Sequence, residues 1–212
     1  MTTPINPGDS LTRRRKLLYI LMLGALTALG PFTVDLYLPA FPALEESLAV
    51  SEAAVQLTLT GTTIGFALGQ LVVGPLSDKF GRRLPLILAT AVHIVASLGA
   101  ALSTDIATLG FFRVMMGIGA AGGGVVAMAM VRDLFSGFAM VRMFSRMALV
   151  NGLAPILAPV IGSQLLLFMP WPGIFFFLAG YGMCVLIAAV FVVRETLPRE
   201  QRGKTGMTAR QR

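Results

Sequence analysis

The chain has 212 residues, of which 56% are hydrophobic and only 13% charged, with a formal net charge of +7. Soluble domains carry about 25% charged residues, so an ordinary soluble domain is excluded and a membrane protein is the leading class. The single cysteine, Cys184, cannot close an internal disulfide, and inside its apolar run it reads as a small core residue.

Met1–Ser10 is polar and contains two prolines, which predicts a cytosolic tail, and Arg13-Arg14-Arg15-Lys16 completes a basic segment over 1–16. The apolar run from Leu17 to Pro39 is too long for a signal peptide, whose apolar stretch is about 7–15 residues. At 1.5 Å per residue it reaches about 34 Å, enough to cross a hydrocarbon core of about 30 Å. The same test predicts spans over Ala54–Leu76, Leu84–Leu102, Ile106–Val131, Met147–Phe168 and Gly173–Val193. The expected class is therefore an all-α membrane protein with a six-helix transmembrane bundle over 17–193, followed by a second basic cytosolic tail over 194–212.

Orientation follows from the bases. Sixteen of the seventeen lie in the first tail, the second-to-third connection, the fourth-to-fifth connection and the last tail. The other three connections hold none, while Glu45, Glu46, Glu52 and Asp105 lie among them. By the positive-inside rule both termini are cytoplasmic. The basic excess is thus topological, and no nucleic-acid partner is expected.

The seventeenth base, Arg113, lies inside the fourth span, about 10 Å below the outer surface by helical rise. Asp35 in the first span lies about 6 Å below the same surface. The two have opposite charge and nearly equal depth, so Asp35 is the expected anionic partner of Arg113. Intramembrane ionisable residues mark ion or substrate pathways, and the pair is read either as a proton-coupling element or as a permanent ion pair fixing helix register. Asp35 precedes Leu36-Tyr37-Leu38-Pro39 near the outer mouth, which favours a carboxyl that water reaches.

Small and polar residues complete the inventory. Gly61, Gly65 and Gly69 recur every four residues and form a stripe for close helix packing, and Gly117, Gly119, Gly122, Gly123 and Gly124 serve the same purpose in the fourth span. In the fifth span Pro155 and Pro159 fall on nearly one face and predict a local bend. His93 stands alone and reads as a packing residue rather than a metal ligand. Gln56, Gln70, Asn151 and Gln164 either line a polar cavity or join helices. Trp171 reads as an interfacial anchor. No nucleophile–base set, phosphate loop or metal spacing occurs, so neither an enzyme nor a cofactor is expected.

The polar island Gly74-Pro75-Leu76-Ser77-Asp78-Lys79-Phe80-Gly81-Arg82-Arg83 resembles the signature between the second and third helices of the major facilitator superfamily, G-x-L-x-D-x-x-G-R-R/K. Phe112-Arg113-Val114-Met115-Met116-Gly117 resembles that superfamily's fourth-helix motif, with Met116 where glutamine is usual. Pro159-Val160-Ile161-Gly162-Ser163 resembles its antiporter motif, with Ala158 and Ser163 in place of glycines. Val34-Asp35-Leu36-Tyr37-Leu38-Pro39-Ala40-Phe41-Pro42 and Arg194-Glu195-Thr196-Leu197-Pro198 resemble the Bcr/CflA drug resistance branch.

This resemblance implies the N-terminal half, three plus three helices, of the major facilitator fold in a bacterial inner membrane. It further implies export of a hydrophobic drug, such as bicyclomycin or chloramphenicol, in exchange for protons, with Asp35 and Arg113 in the coupling. Gly74, Asp78, Gly81, Arg82 and Arg83 would form a cytoplasmic gate loop, and Pro155, Pro159 and Gly162 an antiporter-like kinked helix. The charges of the island, with Asp133, are expected to pair as exposed ion pairs of about 0.2–1 kcal/mol each, a latch weak enough to open in each cycle. The last tail resembles the linker between halves, so the expected partner is a C-terminal half or a second copy. A non-transporting subunit or truncated remnant, and an uptake carrier of the same fold, are the alternatives.

Overall fold

The computed structural model describes residues 12–193, 195–198, 200 and 202. Most of both tails, including Arg194, lies outside the described residues. Among these residues seven α-helices follow in order: α1 Arg13–Asp35, α2 Phe41–Leu48, α3 Glu52–Phe80, α4 Arg83–Ala101, α5 Ile106–Leu134, α6 Gly137–Leu166 and α7 Pro172–Val192. Six segments are long and apolar enough to cross a membrane, the first combining α1 and α2.

Local chemistry explains where these helices start and stop. Ser51 and Asp105 cap α3 and α5, accepting the amides of Ala54 and Thr108, as short polar side chains do at N-caps. Pro39 and Pro42 break the first span after Asp35 into a 3-10 turn, Leu38–Ala40, and the short α2. Helix α3 passes through Pro75 and stops at Gly81, whose φ of 95° suits only glycine. Gly137, with φ 53°, opens α6 after a two-residue break at Phe135-Ser136.

Three sequence expectations change here. The fifth helix begins at Gly137, ten residues before Met147, so Arg142 and Arg146 sit on helix rather than in a loop. Hydropathy falls at charged residues, but nothing between Gly137 and Met147 breaks a helix. Trp171 is 8% exposed and donates from Nε1 to Ser47 Oγ at 2.9 Å. It pins α2 to the start of α7 instead of anchoring in lipid headgroups. Cys184 is exposed rather than core.

The glycine stripes do pack helices closely. A Cβ on Gly65 would meet the Val114 carbonyl of α5, and one on Gly117 would meet the Thr62 carbonyl of α3. The two backbones therefore approach where only glycine fits. Gly119 lies against the backbone of His93, and Gly123 against Leu26 O. Helix α6 runs continuously through Pro155 and Pro159, and the backbone at Gly162 approaches Leu36, the C-cap of α1.

Two apolar clusters fill the bundle. One contains Leu23, Leu26, Ala89, Val126 and Val185, the other Leu36, Tyr37, Ala96, Met116 and Leu178. Thr33 and His93 fall between them in sequence on α1 and α4, and both are buried. The site begins at this polar layer.

Candidate functional site

Arg113 is completely buried. Its Nη1 donates to the Thr33 carbonyl at 2.7 Å. The guanidinium carbon stands 4.1 Å from the centroid of the Tyr37 ring and 5.9 Å from that of Phe175. Thr33 lies in the last turn of α1, where the final four carbonyls have no intrahelical partner and the helix dipole presents partial negative charge. Arg113 thus caps the C-terminus of α1 and lies on an aromatic face, an arrangement that attracts a cation.

No ion pair joins Arg113 to Asp35 among the described residues, contrary to the expectation from depth. Residues two apart on a helix point about 200° away from each other. With Thr33 turned inward, Asp35 turns outward. It is half-buried and lines a cavity of about 320 Å³ between α1, α3 and α6, with Thr63, Phe66, Asn151 and Pro155. Asp35 is the single ionisable group among the lining residues of that cavity.

Around Arg113 the structure assembles partners that spacing alone does not reveal. His93 Nε2 lies 2.9 Å from Thr33 Oγ1, and Tyr37 Oη lies 3.0 Å from Thr58 Oγ1. Nε and Nη2 of Arg113 and Nδ1 of His93 are buried without hydrogen-bond partners among the described residues. Such atoms carry a free-energy cost that a packing role alone does not explain. The sequence signal was present in the polar residues Thr33, Thr58 and His93 inside apolar spans; their convergence was not.

The expected antiporter-like residues divide. Pro155 lines the Asp35 cavity, and Gly162 brings α6 against Leu36, next to Asp35. Pro159 is half-buried on α6 and lies outside that lining. Of the polar residues of uncertain use, Asn151 reaches the cavity. Gln56, Thr60, Thr63 and Gln70 form an exposed stripe on α3, at helical spacing.

The second cluster closes the opposite end of the bundle around Arg82. Nε and Nη2 donate to the two carboxylate oxygens of Asp133 at 2.8 and 3.4 Å. Nη1 donates to Ser77 Oγ at 2.9 Å and to Asp78 Oδ1. Thr196 adds a hydrogen bond to Asp133 at 2.9 Å. Glu195 accepts the backbone amides of Arg82 and Arg83 at 2.8 and 3.5 Å, over Gly81. A Cβ at Gly81 would strike the Glu195 carboxylate. Arg83 donates instead to Val190 O at 2.9 Å, and Gly74 accepts from Ser77 Oγ at 2.8 Å.

Burial works against charge on Arg82, but hydrogen bonds and opposite charge from Asp133 and Asp78 outweigh it and hold the guanidinium above its ordinary range. The expectation of weak exposed pairs fails for Arg82 with Asp133, whereas Asp78 is exposed as expected. The Arg82 and Asp133 side chains are only 7% and 14% exposed, because α5 and the Glu195–Leu197 segment fold over the loop. Glu195 also was not anticipated as a member of this cluster.

Comparison with known proteins gives a consistent result. The family model described as Major Facilitator Superfamily matches residues 13–210. The chain is 39% identical over 193 residues to the MFS-type transporter YdgK of Bacillus subtilis, covering 90% of this chain and 48% of that protein. It is 39% identical over 188 residues to a bicyclomycin resistance protein homolog of Haemophilus influenzae, covering 87% and 46%. With the multidrug resistance protein MdtL of Vibrio parahaemolyticus, identity is 31% over 183 residues, covering 86% and 46%.

Among solved structures, the human organic anion transporter MFSD10 (TETRAN) matches with a TM-score of 0.68 and 24% identity over 91% of this chain and 50% of that one. A D-xylose-proton symporter matches with a TM-score of 0.75 and 15% identity over 92% and 52%. At these identities the structural likeness speaks for the fold. The chain spans about half the length of the curated relatives it matches.

Proposed function

The chain belongs to the major facilitator superfamily, and from that premise we propose that it supplies the N-terminal half of an exporter that exchanges a hydrophobic drug for protons across the bacterial inner membrane. The observation that carries this reading is the cavity whose lining holds a single ionisable group, Asp35. An ionised carboxylate in an apolar cavity is costly to desolvate, and a proton removes that cost. A proton and a hydrogen-bond donor group on an otherwise hydrophobic drug therefore compete for the Asp35 carboxylate, since either one satisfies it and excludes the other. Proton loading favours one occupancy and proton release the other, which is the thermodynamic content of antiport. The relatives named for bicyclomycin and multidrug resistance support drug as the cargo.

Arg113 contributes by holding the last turn of α1, from which Asp35 projects. Protonation of Asp35 alters the field at that turn, and movement of α1 is resisted or released by the Thr33–Arg113 bond. At the other end the Arg82–Asp78–Asp133 cluster with Glu195 latches the cytoplasmic loop. The distribution of bases supports both termini lying on that side. The exposed polar stripe Gln56, Thr60, Thr63 and Gln70 must be covered by protein or water at membrane depth. A second six-helix bundle is the proposed partner for that face.

The test is drug accumulation in cells or proteoliposomes with and without an imposed proton gradient, for the wild-type chain and Asp35→Asn. Gradient-driven export lost in Asp35→Asn is the expected result. Export in Asp35→Asn that still follows the gradient would refute the role of Asp35, and import in place of export would favour an uptake carrier. No transport by the chain alone, restored by co-expression of a C-terminal half, would assign it the role of a subunit.

A further inference from the structure

We propose that His93 is a positioning residue that sets Arg113, acting through Thr33. The proposal rests on the reading above that Arg113 serves the coupling site. His93 is completely buried where α4 meets three other helices. Its Nε2 lies 2.9 Å from Thr33 Oγ1 on α1, and its backbone is pressed by Gly119 of α5. A Cβ built on Gly182 of α7 would stand 3.3 Å from its Nδ1.

The hydrogen bonds define which nitrogen carries the proton. Thr33 Oγ1 donates its one hydrogen to Leu29 O at 2.6 Å. Toward His93 that oxygen must accept, so the ring donates from Nε2 and leaves Nδ1 as a bare acceptor facing Gly182. Thr33 then carries two loads. Its hydroxyl takes the His93 N–H, and its carbonyl takes Arg113 Nη1 at 2.7 Å. The residue that orients Arg113 is itself tied to α4 by His93.

Packing alone does not ask for histidine at this place. An apolar side chain fills the same space and leaves no orphaned nitrogen, whereas His93 Nδ1 has no partner among the described residues. What histidine adds is a rigid N–H at Nε2. Among the described residues no other neighbouring polar group donates to Thr33 Oγ1. Arg113 on α5 takes the Thr33 carbonyl, Tyr37 Oη is engaged with Thr58, and Tyr181 Oη on α7 donates to Ala25 O at 2.7 Å. Loss of the His93 N–H unties the end of α1 from α4 at Thr33, so that the helix end whose carbonyl holds Arg113 is free to shift against α4 and α5.

His93 is the sole histidine of the chain, so ¹⁵N-histidine labelling of the full chain in lipid nanodiscs reports on it alone. The expected spectrum shows one ring carrying a single proton, on Nε2. Arg113→Leu shifts that signal, and Thr33→Val removes its hydrogen-bonded signature. In transport measurements His93→Gln, which keeps an N–H near the Nε2 position, retains the pH profile of the wild-type chain, while His93→Leu displaces it as Arg113→Leu does. An Nδ1–H tautomer, a signal indifferent to Arg113→Leu, or a wild-type profile in His93→Leu overturns the proposal. A chain that moves no drug yet shows the expected ring signature and its response to Arg113→Leu defeats the transport reading and leaves the placement of Arg113 by His93 standing.

Discussion

Replacing Arg82 by lysine keeps the positive charge and removes the fork. In the structure the guanidinium reaches Asp133 through Nε and Nη2 on one edge and Ser77 and Asp78 through Nη1 on another. A lysine ammonium presents its donors from one compact point, so it serves one carboxylate and abandons the other. Asp78, 38% exposed, is the cheaper to abandon, at under about 1 kcal/mol after solvent screening.

Asp133, 14% exposed, is the expensive one. A charge-assisted hydrogen bond contributes about 1.5–3 kcal/mol, and the Nη2 bond at 3.4 Å is the weaker of its two. Giving up Asp78 and the weaker Asp133 bond together costs about 2–3 kcal/mol, or roughly 30- to 150-fold in the folding equilibrium. For a chain of this size the melting temperature falls by about 2–4 °C per kcal/mol. Arg82→Lys in detergent should therefore melt well below wild type, while Arg83→Lys, whose parent side chain donates to the single carbonyl of Val190 among the described residues, stays close to it. Equal melting of the two variants would refute the reasoning that the buried fork, rather than loop charge, closes this end.

Gly117→Ala should destabilise by about 1–3 kcal/mol through forced separation of α3 and α5, since its Cβ meets the Thr62 carbonyl; Gly124→Ala, with nothing within 4 Å, serves as the neutral control in the same unfolding titration. Trp171 is the only tryptophan, and its emission should resist aqueous quenchers; Ser47→Ala should cost about 1 kcal/mol and raise quenching. Asp35→Asn should leave insertion and melting within about 0.5 kcal/mol of wild type, because Asp35 makes no ion pair among the described residues, while altering proton-driven export. The Thr108 amide and hydroxyl hold the Asp105 carboxyl below its usual range. The folded state thus binds protons less readily, and the cap should stabilise α5 above the ordinary carboxylate range and fade as pH falls through the depressed value. Exchange of the Thr108 amide should quicken on that acidification in wild type and stay comparatively level in Asp105→Asn.

The six spans, the glycine stripes and the resemblance to a six-helix half were legible because each rests on local signals. Apolar length marks a span, glycine every four residues marks a face, and the island's fixed residues mark a family. Helix ends were less legible where charge and helix coexist, as at Arg142 and Arg146 on α6. At the candidate site, Asp35 and Arg113 were both found from sequence, because a charge inside an apolar run is conspicuous. Their partnership was misread, since depth along a helix is linear in residue number whereas direction turns by about 100° at each step. Trp171 and Cys184 exchanged places for the same reason: an amphipathic or small side chain is inside or outside according to helix rotation, which composition does not report.

What the sequence by itself determined is which segments are long and apolar enough to cross a membrane, and which residues are too polar for their surroundings. Those properties follow from the free energy of placing each side chain in hydrocarbon, which is additive along the chain. Only the tertiary structure decided that Arg113 caps α1 through Thr33 rather than pairing with Asp35, that His93 is tied to the same residue, and that Arg82 is buried between Asp78 and Asp133 under Glu195. Each of those outcomes depends on the rotation of one helix against another. Such rotation is set by where backbones can approach, at Gly65, Gly117, Gly119 and Gly162, and by which carbonyls the helix ends leave open.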